Sequence, residues 1–468
     1  MAETGGLVAR RRLVWTMVTL SLLQVSTAGA GLAVANLTPP DPVEQRAAAV
    51  AARASVQATA SLPGIDPDAP IPDAATLRER LAGIAEGPGP KVNAVVIDAE
   101  TRKTLFDRGA DSPATPASTT KLVTSVAALS ALGPDHRIAT KVVQGGEGGV
   151  VLVGGGDPTL TARPPVEDAY PRYASLEDLA RQTAAALTRA GVREIRVDYD
   201  ASLYEGEREA AGWKSNYLPD GELAPMSALT VDEGRTGVGE TTRVSDPAKS
   251  ATQTFVRMLD RAGVKAETGE RVTAPRTAVA LGTVRSPPLS ALVEHLMTVS
   301  DNDVAEAVLR QVAVKRGLPV SFAGGAQAVM AELARLGVAE GVQVNDGSGL
   351  STRNRITPLA LARIASLAAS DRHPGLRPAI TGMPVAGFTG TLAAPRYTDD
   401  RTAAGAGVVR AKTGTLSGVS TLAGVAHDAD GRLLAFAFML GDGKGPVDRG
   451  RLDLLAAAVA ACGCGTAS

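Results

Sequence analysis

The chain has 468 residues, enough for about three domains or one large elaborated one. It is 44% hydrophobic and 21% charged, so it can bury a core and is not a disordered segment. A formal net charge of −1 and an aromatic content of 3% exclude a general nucleic-acid binder, which needs a basic surface and stacking platforms. Two cysteines, Cys462 and Cys464, are too few for a disulfide scaffold or a four-cysteine zinc site, and none of the four histidines lies in an H-E-x-x-H arrangement.

From the N-terminus, Arg10, Arg11 and Arg12 precede an uncharged stretch over 13–35. A basic cluster before an apolar run holds the cluster in the cytoplasm and sends the following chain outward. Ala28-Gly29-Ala30 and Ala33-Val34-Ala35 each fit a small-residue cleavage site. The stretch also has the length of an uncleaved membrane anchor, so residues 1–35 read as a signal peptide or an anchor. Residues 36–74 carry Pro39, Pro40, Pro42, Pro63, Pro67, Pro70 and Pro72 around an Ala-rich run and read as a linker.

The body opens with a short amphipathic helix over 77–84, a strand over 92–97 and a pairing strand over 104–106. A helix over 119–132 follows, stopped by Gly133. A Gly-rich strand–turn–strand covers 142–153 and ends in Gly154-Gly155-Gly156-Asp157-Pro158. Then come a helix over 176–190 stopped by Gly191, a strand over 193–197, and a helix over 252–262 stopped by Gly263. This mixture over 142–285 reads as an inserted α+β accessory domain. Helices over 289–298 and 304–314 flank Ser300-Asp301-Asn302. Apolar runs at 419–427 and 432–440, separated by Asp428-Ala429-Asp430-Gly431, predict a hairpin before a last helix over 451–461. Strands and helices at both ends predict one sheet assembled from the two termini. The main domain then comprises 75–141 and 286–463.

Three short motifs carry chemistry. Ser118-Thr119-Thr120-Lys121 stands at a helix start, and residues three apart share a helix face, so the hydroxyl and the amine can meet. A serine needs a base to become a nucleophile, and a neutral lysine can serve. The chain has ten lysines, and Lys121 alone has a serine three residues before it. In Ser300-Asp301-Asn302 the serine can relay a proton and the amide can hold a substrate carbonyl. The plain alternative is helix capping, which these residue types favour. Lys412-Thr413-Gly414-Thr415 follows Val408-Val409-Arg410, so it sits on or beside a strand. It offers a cation and two hydroxyls to a carboxylate, with Gly414 leaving room for a ligand backbone. Its alternative is an edge strand with an incidental lysine.

The ordered set S-x-x-K, S-x-N, K-T-G resembles the signature of penicillin-binding proteins and class A β-lactamases. The 300 − 118 = 182 residues between the first two serines are too many for a compact β-lactamase with one small helical subdomain. The segments Gly154 to Leu160, Gly191-Val192-Arg193-Glu194-Ile195 and Asp346-Gly347-Ser348-Gly349-Leu350-Ser351 are similar to those of the D-alanyl-D-alanine carboxypeptidase/endopeptidase family of the penicillin-binding protein 4, or S13, type. The resemblance covers about 75–463, with an insertion shorter than in the larger members. It implies an α+β fold in which an antiparallel sheet is flanked by helices, with a helical subdomain and the inserted region.

The resemblance also implies roles. Ser118 attacks the carbonyl between two D-alanines with help from Lys121, and the backbone N–H groups of Ser118 and Thr415 form the oxyanion hole. Lys412, Thr413 and Thr415 receive the terminal carboxylate beside Gly414. Ser300 passes a proton to the leaving amine, and Asn302 binds the peptide and positions Lys121. The 346–351 loop is a candidate cleft wall. No metal or organic cofactor enters. The expected partners are peptidoglycan stem peptides and β-lactam antibiotics as inhibitors, with no nucleic acid. The expected location is extracytoplasmic, secreted or anchored at the outer face of the bacterial cell membrane. A β-lactamase or esterase using the same serine, and an inactive wall-binding protein, are the competing readings.

Overall fold

The computed structural model describes residues 68–146, 148–164 and 168–463. The candidate signal or anchor at 1–35 and most of the 36–74 linker lie outside the described residues, among which no helix is long and apolar enough to cross a membrane. In chain order the elements begin with α1 (Ala74–Ala85), β1 (Val92–Asp98), β2 (Thr104–Arg108), α2 (Thr120–Leu132), β3 (Ala139–Gln144) and β4 (Val150–Val153). Next are α3 (Leu176–Arg189), β5 (Glu194–Asp200), α4 (Pro247–Arg261), β6 (Lys265–Arg271) and β7 (Ala280–Arg285). They are followed by α5 (Leu289–Val299), α6 (Asn302–Arg316), α7 (Phe322–Arg335), β8 (Val342–Gln343), β9 (Arg355–Ile356), α8 (Pro358–Ala369) and the single turn α9 (Pro378–Thr381). The chain closes with β10 (Val409–Leu416), β11 (Val419–His427), β12 (Leu433–Leu440) and α10 (Gly450–Ala460).

The first sheet has the order β10-β11-β12-β1-β2 and is antiparallel throughout. It joins the two ends of the chain, as the sequence predicts. Side chains alternate faces along a strand, and here both faces are buried. Val95 and Ile97 of β1 join Ala435, Ala437 and Met439 of β12 in a core with α2, α5, α6, α7 and α8. Ala94 and Val96 join Leu434, Phe436 and Phe438 in a second core under α1 and α10. Full burial on both faces explains why β12 reads as a continuous apolar run rather than an alternating one.

The second sheet has the order β6-β5-β4-β3-β7, with β4, β5 and β6 parallel and β3 antiparallel to both its neighbours. It packs α3 and α4 over a third core. The sheet starts at Ala139, three residues ahead of the sequence-based boundary, and ends at Arg285. Both sheets belong to one compact unit.

Helix ends differ from the sequence reading where side chains cap them. The α1 helix starts at Ala74 because Asp73 accepts from the Ala75 and Thr76 N–H groups, and α4 starts at Pro247 because Asp246 accepts from Lys249 N–H. Arg432 leaves the predicted strand for the turn before β12, where its buried guanidinium pairs with Asp98 and Glu100 at the end of β1.

Candidate active site

The site lies where β10, an edge strand of the first sheet, meets the start of α2 and the start of α6. Ser118 occupies a single 3-10 turn, Ala117–Thr119, that runs into α2. It therefore stands just before the regular helix rather than in it. Ala117 adopts φ 46°, a backbone conformation rare for a side-chain-bearing residue. The turn is pinned from beneath, since Thr119 and Thr421 hydroxyls both donate to the Pro116 carbonyl, at 2.6 and 2.7 Å. Gly414 of β10 passes against this turn, and a Cβ there would meet Ser118 N at 2.9 Å and Thr421 Oγ1 at 2.2 Å. A side chain at 414 would thus push the strand off the serine.

Lys121 is fully buried on the first turn of α2. Its Nζ donates to Ser118 Oγ at 3.1 Å, to Asn302 Oδ1 at 2.7 Å and to the Ser348 carbonyl at 2.9 Å. Burial pushes its pKa down to about 8, against the pull of Asp301, Asp346, Glu306 and Glu222.

The link between α5 and α6 divides its labour. Ser300 ends α5 in the left-handed region at φ 63°, strain of the kind that functional sites hold. Asp301 caps α6 by accepting from Val304 N–H at 2.9 Å. Asn302 is the first helical residue and offers its oxygen to Lys121, while its amide donates to the Glu222 carbonyl at 2.9 Å. Capping and a place in the site therefore coexist in three consecutive residues. Burial would raise the Asp301 pKa, but His295 at 3.3 Å, the Val304 N–H and Lys121 hold it down to about 2.

On β10, Lys412 is buried and donates to Ser300 Oγ at 2.8 Å and to the Thr413 carbonyl at 2.9 Å. Burial, then the charge of Lys121, hold its pKa well below the ordinary lysine range. Thr413 Oγ1 lies 2.6 Å from Thr391 Oγ1, and Thr415 is exposed. All eight residues singled out in the three motifs thus come to one place, tied by Lys121 on one side and Lys412 on the other.

Sequence reasoning missed several neighbours. Glu222, Trp213 and Lys214 come from the segment read as an accessory insertion, yet they bond to Asn302, Asp346 and Ser417 respectively. Thr391 precedes β10 on a loop with no motif of its own. Glu306 stands four residues after Asn302, on the same helix face. That spacing is the one signal for it. The 346–351 loop reaches the site through the Ser348 carbonyl. Its glycines are required by close approach: a Cβ at Gly349, which has φ 88°, would meet the Ala117 carbonyl at 1.9 Å, and one at Gly347 the Ala305 carbonyl at 2.5 Å.

Behind the α5–α6 link, Glu233, His295 and Asp301 bring one potential ligand atom each within 4.8 Å of one another. Glu233 is already paired with Arg235 at 2.7 Å and Arg243 at 3.3 Å, and Arg243 also pairs with Asp303. Two guanidiniums neutralise that carboxylate, so the group is an ion network bracing Ser300 to Asn302 rather than a cation site.

A hydroxyl on a lysine of lowered pKa, with a second serine on a second buried lysine, is a constellation for acyl transfer. The chain is 38% identical over 410 residues to carboxypeptidase DacB of Mycolicibacterium smegmatis, covering 86% of this chain and 87% of that one. It is 30% identical over 474 residues to a D-alanyl-D-alanine carboxypeptidase of an Actinomadura species, covering 82% and 84%. Among solved structures, penicillin binding protein 4 (dacB) from Haemophilus influenzae shares the fold at a TM-score of 0.64 and 21% identity, over 83% of this chain and 98% of that one. The D-Ala-D-Ala carboxypeptidase 3 (S13) family matches residues 75–243 and 236–459, nearly the whole described chain, and the protein belongs to that family.

Proposed function

We propose that the protein is a serine DD-peptidase that cleaves the terminal D-Ala-D-Ala bond of peptidoglycan stem peptides through an acyl-enzyme, and that penicillin acylates the same serine. The observation that carries this reading is the contact of Lys121 Nζ with Ser118 Oγ at 3.1 Å while Asn302 holds the same amine. Neutral Lys121 takes the Ser118 proton as the oxygen attacks the carbonyl carbon. The Ser118 and Thr415 N–H groups steady the oxyanion. Thr413 and Thr415, with Lys412 behind them, receive the terminal carboxylate. Ser300, held by Lys412, relays to the departing amine the proton that Lys121 took from Ser118, and water then cleaves the ester and restores the Ser118 hydroxyl. The basic cluster Arg10 to Arg12 before an uncharged stretch supports a place outside the cytoplasm, where such substrates lie.

Intact-mass and peptide mapping after incubation with a labelled penicillin test the reading. One adduct per chain on Ser118 is expected, with none in Ser118→Ala. Labelling elsewhere, or equal labelling of the variant, would contradict it.

A further inference from the structure

We propose that Glu306 is a positioning residue for Lys121: from α6 it holds the Ser348 carbonyl against the amine and so fixes where the lone pair of that amine points. The proposal rests on the reading of Lys121 as the base for Ser118.

A lysine ammonium has three N–H donors, and Lys121 has three acceptors around it, Ser118 Oγ, Asn302 Oδ1 and the Ser348 carbonyl. A neutral amine has two N–H groups and one lone pair. With the two N–H groups held by Asn302 and Ser348, the lone pair is left facing Ser118 Oγ, the only one of the three that can give up a proton. Both fixed acceptors are needed. If one is lost, the amine rotates and its lone pair wanders off the serine.

Both acceptors are rooted in one helix. Asn302 belongs to α6 directly. Ser348 is tied to it through Glu306, one turn further along the same face. The Glu306 carboxylate accepts from Gly347 N–H at 3.0 Å and from Ser348 N–H at 2.8 Å. It is fully buried, and a carboxylate is a pure acceptor, matched to two converging N–H groups. A protonated acid or an amide would present a donor to one of them.

The charged groups around it are few. Arg310, a turn further along α6, stands 3.6 Å from Glu306 Oε2 and is stacked on the Phe322 ring at 4.0 Å and the Tyr204 ring at 5.1 Å. From the loop, Asp346 faces it, itself anchored by Trp213, Asn354 and the N–H groups of Gly349 and Ser351. Tyr204 faces it from the loop after β5, and Lys121 from α2. Burial and Asp346 push the Glu306 pKa up to about 7, against Arg310 and the N–H donors of Ser348 and Gly347. The negative charge on Glu306 favours the protonated form of Lys121. Positioning and proton affinity are thus two separable effects of one carboxylate.

Acylation of the full-length chain by a fluorescent penicillin, followed from about pH 5.5 to about pH 10, separates them. In wild type the rate is expected to rise through an acid limb as Lys121 loses its proton. In Glu306→Gln the plateau is expected to fall roughly ten- to a hundredfold, the size of effect that misplacing a reacting group has. The midpoint of the acid limb is expected to move down by about half a unit or more, because a nearby negative charge is gone. An unchanged profile overturns the proposal. So does a lower plateau with an unmoved midpoint, which lost packing alone would give. If Glu306→Gln does not fold by circular dichroism, amide exchange of wild type decides. Corrected for intrinsic rates, the 344–352 segment is expected to gain protection as rising pH ionises Glu306, while β11 and β12 do not; equal behaviour of the two overturns the proposal. A wild type that takes no adduct on Ser118 removes the proposed function itself. A wild type labelled on Ser118 beside an unaltered Glu306→Gln profile removes the role of Glu306 alone.

Discussion

Lys412 shows how a residue's chemistry depends on what stands in front of it. Its motif offers a cation to a carboxylate, and in the fold its Nζ is spent on Ser300 Oγ and the Thr413 carbonyl, with no exposed surface. In the proposed mechanism Lys412 therefore acts on the substrate through Ser300, and on Lys121 through the field that each exerts on the other. Lys412→Ala is expected to lower kcat/KM on a D-Ala-D-Ala peptide roughly ten- to a hundredfold, the worth of about 1.5–3 kcal/mol for a hydrogen bond to a charged group. A peptide amide, which lacks the carboxylate, is expected to lose a similar factor relative to its own wild-type rate. A much smaller loss for the amide would instead mark Lys412 as a direct carboxylate clamp. The eight motif residues were legible because each motif keeps its chemistry within four residues and the three stand in one order; taken singly, each had a plain alternative such as helix capping or an edge strand. Glu222, Glu306 and Thr391 were not, because what recruits them is contact across 80, 42 and 22 positions of sequence, through a backbone carbonyl, a loop N–H and a hydroxyl pair respectively.

The Gly154 to Leu160 segment works as an element-sized bracket. It leaves β4 with Gly154 N–H on the Asp200 carbonyl and Gly156 N–H on the Ala228 carbonyl, and the Gln311 side chain of α6 donates to the Gly155 carbonyl. At its centre, Asp157 is buried. One of its oxygens accepts from Thr159 N–H and Oγ1, while the other has no partner among the described residues. Burial pushes its pKa up to about 6, against the Thr159 bonds. A folded-state value above the unfolded one gives a contribution that is complete below the unfolded pKa of about 3.9 and is lost as pH rises through about 6. Asp157→Asn keeps the acceptor for Thr159 and cannot ionise. Its stability relative to wild type is therefore expected to grow by about 2–3 kcal/mol between roughly pH 4 and pH 8, read from denaturant unfolding. A difference independent of pH would contradict a buried, strained carboxyl. Elements with a glycine stop or unbroken apolar runs, such as α2, β11 and β12, were legible in sequence. The β6 strand was not, being a polar, mostly exposed edge, and α7 opens with Gly324-Gly325 in its first turn, which local propensity counts against a helix. Those glycines are there for packing, since a Cβ at Gly324 would meet the Pro319 carbonyl at 1.9 Å.

Across the whole molecule, the site depends on a strand that carries none of its chemistry. All eight motif residues precede Gly431. Yet β12 lies between β11 and β1 in the sheet, pairing Ser420 to Leu440 on one side and Val92 to Leu440 on the other. Without it, the hairpin that holds Gly414 against the Ser118 turn has no attachment to β1 and β2, and the two cores on either face of the sheet lose their shared wall. A chain ended at Gly431 is expected to form no penicillin adduct although every motif is present. A full adduct on Ser118 of that shortened chain would show that the first sheet is not what assembles the site.

The pairing of Val92 with Leu440 also has a clock in it. The two residues are 440 − 92 = 348 positions apart, and a ribosome adds about 5–20 residues per second. Roughly 20–70 s therefore pass between the synthesis of β1 and that of the strand it needs. For most of that interval the nascent chain carries Ser118 and Lys121 beside a first sheet that lacks β12. Long-range strand pairing of this kind is slow to fold and late to complete. The proposed reactivity is accordingly expected only after β12 has been made and paired, later than all three motifs.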